Sequence, residues 1–108
     1  MLEPAVLTAV LTYLAAVKAH GILVECAVVF GSQVKGHAHL WSDIDLLVVS
    51  PQFDDMKDRT NINLLWRLAA RTDSRIEPIP CGSRQWLEDD SSAIIEIARR
   101  EGEVLGAA

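Results

Sequence analysis

The residues best suited to chemistry lie in Gly31-Ser32-Gln33-Val34-Lys35-Gly36, then Ser42-Asp43-Ile44-Asp45, followed by the apolar run Leu46-Leu47-Val48-Val49. A Gly-Ser turn leaving a strand points backbone N–H groups into a concavity. Glycine permits close approach there, and the serine hydroxyl adds a donor. Such a turn suits a phosphate, to which Lys35 would add a point charge. Asp43 and Asp45 are two apart, a spacing that on a strand sends both side chains to one face, with Cα atoms about 6.5 to 7 Å apart. Carboxylates so placed repel unless cations join them, and hard Mg2+ ions bind through carboxylates together with phosphate oxygens. A pair of such ions about 4 Å apart clamps the attacking and leaving oxygens of an in-line displacement. Alone, a Gly-Ser pair is usually a turn, and Asp-x-Asp at a strand entrance is often a cap plus one solvated carboxylate. Asp45 resists that plainer reading: it interrupts a strand whose other residues seek burial, and a partly buried charge needs a partner.

The elements around these residues can be read from their patterning. Leu23 to Phe30 is nearly all apolar and rich in β-branched residues, as in a strand covered on both faces, and Gly31-Ser32 ends it. Gln33 to Trp41 reads as a short helical turn plus loop, and Ile44 to Val49 as a second strand stopped by Pro51. Ahead of them, Pro4 suits a first helical turn. Val6, Leu7, Val10, Leu11, Leu14 and Val17 recur at helical spacing, and Gly21 follows as a stop. Its polar side, Thr8, Thr12, Ala15 and Ala16, is thin enough to suit a partner as well as water. Met56 to Arg71 predicts a helix through Leu64, Leu65 and Leu68, entered by the acidic run Asp54, Asp55 and Asp58. Arg75 to Pro80 alternates, but two prolines restrict it to an edge strand. Ser83 is placed to cap a short helix with Trp86 and Leu87. Ser91 or Ser92 is placed to cap another, with Ile94, Ile95 and Ala98 buried and Gly102 at its end. Val104-Leu105 is expected to pack back. The order predicts an α/β chain, with helices on a small mixed sheet in a single domain over 1–108.

Composition narrows the function classes. Half of the residues are hydrophobic and 23% are charged, which supplies a real core and excludes a disordered tail, a fibre or a coiled coil. A net charge of -5 opposes non-specific wrapping of nucleic acid, which needs clustered cations, so no direct nucleic-acid binding is expected. Cys26 and Cys81 lack CxxC or Cys/His ligand spacing and read as buried thiols, consistent with a cytoplasmic address. The uncharged run Ala5 to Val17 falls short of the roughly 20 residues of a membrane span, and Glu3 before it is wrong for a signal peptide.

Gly31-Ser32, Gly36 and Ser42-Asp43-Ile44-Asp45-Leu46 together resemble the signature of the minimal nucleotidyltransferases of the polymerase-beta superfamily: Gly-Ser, a glycine shortly after, then Ser-Asp-x-Asp-Leu at the head of a strand. The resemblance spans the whole length. It implies a mixed sheet with helices packed on one side, Mg2+ as cofactor, a nucleoside triphosphate (usually ATP), and transfer of a nucleoside monophosphate to a hydroxyl with loss of pyrophosphate. It assigns the triphosphate to Gly31 and Ser32, with Ser42 assisting, and the metals to Asp43 and Asp45. A third carboxylate, common on the next strand, falls to Glu77. That residue is Asp in most members, and Pro78 beside it is expected to distort the strand. Lys35 stands where minimal members commonly carry Arg, keeping the charge but not the bidentate fork. Minimal members have no helical acceptor domain and are commonly encoded with a helical HEPN-type protein, often a toxin RNase. The resemblance therefore implies an antitoxin that adds AMP to such a partner, in a homo- or hetero-oligomer.

Two other readings stay open: a weak or inactive binding module that neutralises its partner by contact, and transfer to a small molecule. Of the remaining residues, His37 and His39 read as a solvated loop, and Trp41 as pocket lining or packing. Trp66 and Trp86 read as core or interface. Arg67, Arg71 and Arg75 read as solvated helix surface, and Glu88-Asp89-Asp90 as a solvated acidic turn.

Overall fold

The computed structural model describes residues 2–35, 42–55 and 59–106. Gly36, His37, His39, Trp41, Met56 and Asp58 lie outside them. Among the described residues the chain runs α1 (Pro4–Ala19), β1 (Cys26–Phe30), α2 (Ser32–Lys35), β2 (Ile44–Ser50), a 3-10 turn (Pro51–Phe53), α3 (Thr60–Thr72), β3 (Ile76–Gly82), α4 (Ser83–Glu88), α5 (Ala93–Glu101) and β4 (Glu103–Gly106). The strands form one sheet in the order β3-β2-β1-β4. β1 lies antiparallel to β2 and β4, and β2 lies parallel to β3, which it reaches through the α3 crossover. The expected α/β architecture with a mixed sheet is therefore the one observed.

Alternation along the strands builds two cores. Ala27, Val29, Ile44, Leu46, Val48 and Ile76 face α1 and α3, meeting Val10, Leu14, Val17, Leu65 and Leu68. The opposite parity, Val28, Phe30, Leu47, Val49 and Cys81, meets Ile95 and Ala98 of α5. Helices thus lie on both faces, where packing on one side was expected. The short C-terminal helices carry apolar stripes of their own, and the inner strands are apolar at every position but Asp45 and Ser50, so neither face of the sheet can be left to water.

Local details depart from the linear reading where tertiary partners intervene. The first strand begins at Cys26 rather than Leu23, because Gln52 takes the Leu23 N–H onto its Oε1 at 2.6 Å. On α1, Leu11 is 49% exposed while Tyr13 is fully buried. Its hydroxyl donates to the Leu65 carbonyl at 3.0 Å, pinning α1 to α3, and burial pushes the phenol above its ordinary pKa. Of the acidic run, Asp54 serves α4 rather than α3: its Oδ1 accepts from the Arg84 N–H at 3.0 Å, and α3 has no acidic residue in its first turn. Gly82, not Ser83, is the N-cap of α4, while Ser92 caps α5 as expected by accepting from the Ile95 N–H. Val104 and Leu105 form β4. Trp66 is 48% exposed on α3, whereas Trp86 is partly buried beneath the Arg99 guanidinium, 5.7 Å from its centroid. Cys81 is buried, and its thiol is pushed up to about 11; Cys26 is partly buried and also raised by burial.

Arg75, read as solvated surface, instead closes the turn into β3. It forks onto Asp73, Nε to Oδ1 at 3.0 Å and Nη2 to Oδ2 at 2.7 Å, and these bonds hold the Asp73 carboxyl below the usual range. A lowered folded value stabilises the protein above the unfolded pKa of about 3.9 and is lost as pH falls through the folded value. Asp73→Asn is accordingly expected to lower stability by about 1 kcal/mol at pH 7. The gap to the unsubstituted protein should close below about pH 4 in denaturant titrations run across pH.

Candidate active site

The site is assembled where β1 ends and β2 and β3 begin. Ile44 and Leu46 are fully buried against α1 and α3, so Asp45 between them turns to the opposite face, and Asp43, one residue before the strand, shares its parity. The register sets Asp45 opposite Phe30 on β1 and opposite Glu77 on β3. Glu77 alternates with buried Ile76 and Pro78, so it emerges on the same face. The two prolines do not break this register, because half of an edge strand's N–H groups point to solvent.

The three carboxyl groups sense one another. Burial raises the Asp45 carboxyl and the charge of Asp43 adds to this, while a hydrogen bond with Glu77 acts in the opposite direction. Glu77 is raised first by burial, then by the charges of Asp43 and Asp45 and by hydrogen bonds to both. A proton on Glu77 is thus held against its neighbours, as expected for crowded like charges.

The turn after β1 fits against this cluster. Gly31 has φ +77, and its carbonyl accepts from the Val34 and Lys35 N–H groups at 3.2 Å to start α2. A Cβ at Gly31 would strike the Asp45 carboxylate. Glycine is thus favoured by its left-handed backbone, and any side chain there would also have to push the Asp45 oxygen aside. Ser32 is the next residue, half-buried, as is Ser42. Lys35 reaches the other way, its Nζ 3.2 Å from Glu101 of α5.

Gln33 is a residue that the motif alone does not single out. It is buried on α2, and its Nε2 donates to the carbonyls of Ser42 and Asp43. Its only sequence signal is a polar residue in a helical turn with one side toward the sheet.

The donor set suits a hard divalent cation in kind: oxygen ligands only, crowded negative charge, and a carboxylate oxygen kept clear by a missing Cβ. Among the described residues, no three His, Cys, Asp or Glu side chains already converge at metal-binding separation.

Two substitutions probe this geometry. Gly31→Ala should cost about 1 to 2 kcal/mol from the left-handed backbone alone, and should displace the Asp45 carboxylate. Thermal unfolding is expected to show the loss, together with a smaller gain on adding Mg2+ and ATP. Asp45→Asn should leave the metal-free melting temperature unchanged or raised, since it relieves crowding, yet abolish the gain from Mg2+ and ATP; an equal gain in both proteins would contradict a cation-holding role for Asp45.

Comparison with known proteins bears on the fold and the family. No match is found among curated proteins. A crystal structure of a toxin-antitoxin with AMP-PNP superposes with a TM-score of 0.61 at 22% identity, covering 90% of this chain and 73% of that one. A protein from Sulfolobus solfataricus described as a nucleotidyltransferase superposes with a TM-score of 0.59 at 17% identity, covering 91% of this chain and 77% of that one. At these identities the likeness is one of fold. Residues 12–98 match the nucleotidyltransferase domain, a span that includes Gly31, Asp43, Asp45 and Glu77, and the chain belongs to that family.

Proposed function

We propose that the protein is a Mg2+-dependent nucleotidyltransferase that moves a nucleoside monophosphate, AMP from ATP, onto a hydroxyl of a partner protein. The observation that supports this most is the meeting of Asp43, Asp45 and Glu77 on one sheet face, with Asp45 against the Gly31 turn. Gly31 and Ser32 bind the triphosphate through backbone N–H groups and the hydroxyl, and Ser42 assists. Lys35 joins them by exchanging Glu101 for phosphate. Asp43, Asp45 and Glu77 hold the metal, which when bound polarises the phosphoryl oxygens and offsets their charge. The acceptor oxygen attacks the α-phosphorus as the bond to the β-phosphate oxygen breaks, and pyrophosphate leaves. The hydroxyl proton passes to the Glu77 carboxylate, the role that the resemblance gives the third carboxylate.

The acceptor is taken to be a helical HEPN-type protein, a toxin that AMP addition would silence, which makes this chain the antitoxin in a cytoplasmic hetero-oligomer. The toxin-antitoxin solved with AMP-PNP supports pairing a protein partner with a nucleotide on this fold. No helix among the described residues is long and apolar enough to cross a membrane. A second reading, neutralisation by contact alone, is favoured by one observation: Lys35 is committed to Glu101 rather than turned toward the Gly31 turn.

Incubation with the product of the neighbouring gene, Mg2+ and ATP labelled at the α-phosphate separates the two readings. Transfer is expected to label the partner, and the Asp43→Asn, Asp45→Asn double variant should abolish the label. Undiminished labelling by the variant would remove these aspartates from the reaction. Tight complex formation without any label would establish the contact mechanism instead.

A further inference from the structure

Between the Gly31 turn and the carboxylates lies a buried polar side chain with no role in the chemistry described above. Gln33 is 7% exposed and, with Ser50, makes up the buried polar residues among those described. Ser50 serves the next turn, its Oγ accepting from the Gln52 N–H. Gln33 serves the entrance of β2: Nε2 donates to the Ser42 and Asp43 carbonyls, each at 3.2 Å. A primary amide nitrogen carries two hydrogens, and two carbonyl oxygens call for both, so the match also settles which way the amide points. Next along the chain, the Ile44 N–H donates to the Arg75 carbonyl at 2.7 Å. The peptide units flanking Asp43 are thus held from the β1 side by Gln33 and from the β3 side by Arg75. The chain enters β2 at Asp43, so these bonds orient its Cα–Cβ bond.

We propose that Gln33 is a positioning residue that aims the Asp43 carboxylate at the cation accompanying the nucleoside triphosphate. This rests on the reading of the site as metal- and nucleotide-binding. Gln33 touches neither reactant. It lies on the element that follows the triphosphate turn, so it ties the phosphate end of the site to the carboxylate end across the six residues 36–41 of the chain. Groups that orient a ligand carboxylate typically alter metal affinity by about 10- to 100-fold when removed.

The test uses two variants in the full chain. Gln33→Met fills the same volume without donors, and Gln33→Glu keeps the shape while replacing the amide hydrogens with acceptor oxygen. Mn2+ is titrated by electron paramagnetic resonance in the presence of a non-hydrolysable ATP analogue, and thermal unfolding is followed without metal. The expected result is a metal-free melting temperature near that of the unsubstituted protein, with the Mn2+ concentration for half-saturation raised about 10-fold or more. Unchanged Mn2+ affinity in both folded variants would overturn the proposal while leaving the site intact. Failure of both variants to fold would make Gln33 a folding determinant and also overturn it. Absence of Mn2+ binding by the unsubstituted protein, or binding that survives Asp45→Asn, would instead overturn the reading of the site.

Discussion

A charged oxygen held against a backbone is the constraint on which this structure turns. Asp45 sits in an inner strand between fully buried neighbours, and its carboxylate stands where a side chain on residue 31 would otherwise be. Water cannot solvate it freely, and the nearest groups of the next strand are acidic rather than basic. Such an arrangement is unfavourable by itself. It persists because Ile44, Leu46 and Val48 anchor the same strand in the opposite core, and a one-residue slip would turn Asp45 into that core. Stability at one face thereby imposes crowding at the other, in keeping with a site prepared for a cation and a polyphosphate.

The C-terminal elements shape the surroundings of that crowded face. α4 and α5 cover the sheet beyond the carboxylates, through Ile95 and Ala98 against Val28, Leu47 and Cys81. Two long-range devices hold them. Asp54 supplies the start of α4 with a carboxylate acceptor, and Arg99 of α5 donates to the carbonyls of Gln85, Trp86 and Asp89, drawing α4 and α5 together. α5 then ends at Gly102, which lies so close to Val28 that a side chain would not fit. Glu101, just before it, takes Lys35, joining this unit to the turn next to the carboxylates.

Much of the site was legible because its signals are local. A Gly-Ser pair after an apolar run, and Asp-x-Asp at the head of another, carry their meaning in their spacing: glycine alone tolerates the turn, and period-two alternation alone places Asp43 and Asp45 on one face. Glu77 was legible only by resemblance, since its distance in the chain says nothing of its neighbour. The β2–β3 register decides that it stands opposite Asp45. The role of Gln33 was not legible, because nothing in a glutamine announces that two carbonyls nine and ten residues later lie within its reach.

The sequence by itself determined the types of the elements before β4, the mixed architecture and the turn-plus-aspartate pattern, since each follows from side-chain period, proline and glycine stereochemistry, or charge within a few residues. Tertiary structure alone decided that both sheet faces are covered, that Asp54 serves α4 rather than α3, that Arg75 turns to Asp73, and that Lys35 reaches Glu101. These outcomes depend on which long-range groups compete for one donor or one apolar face. That competition is settled only once the strands are in register.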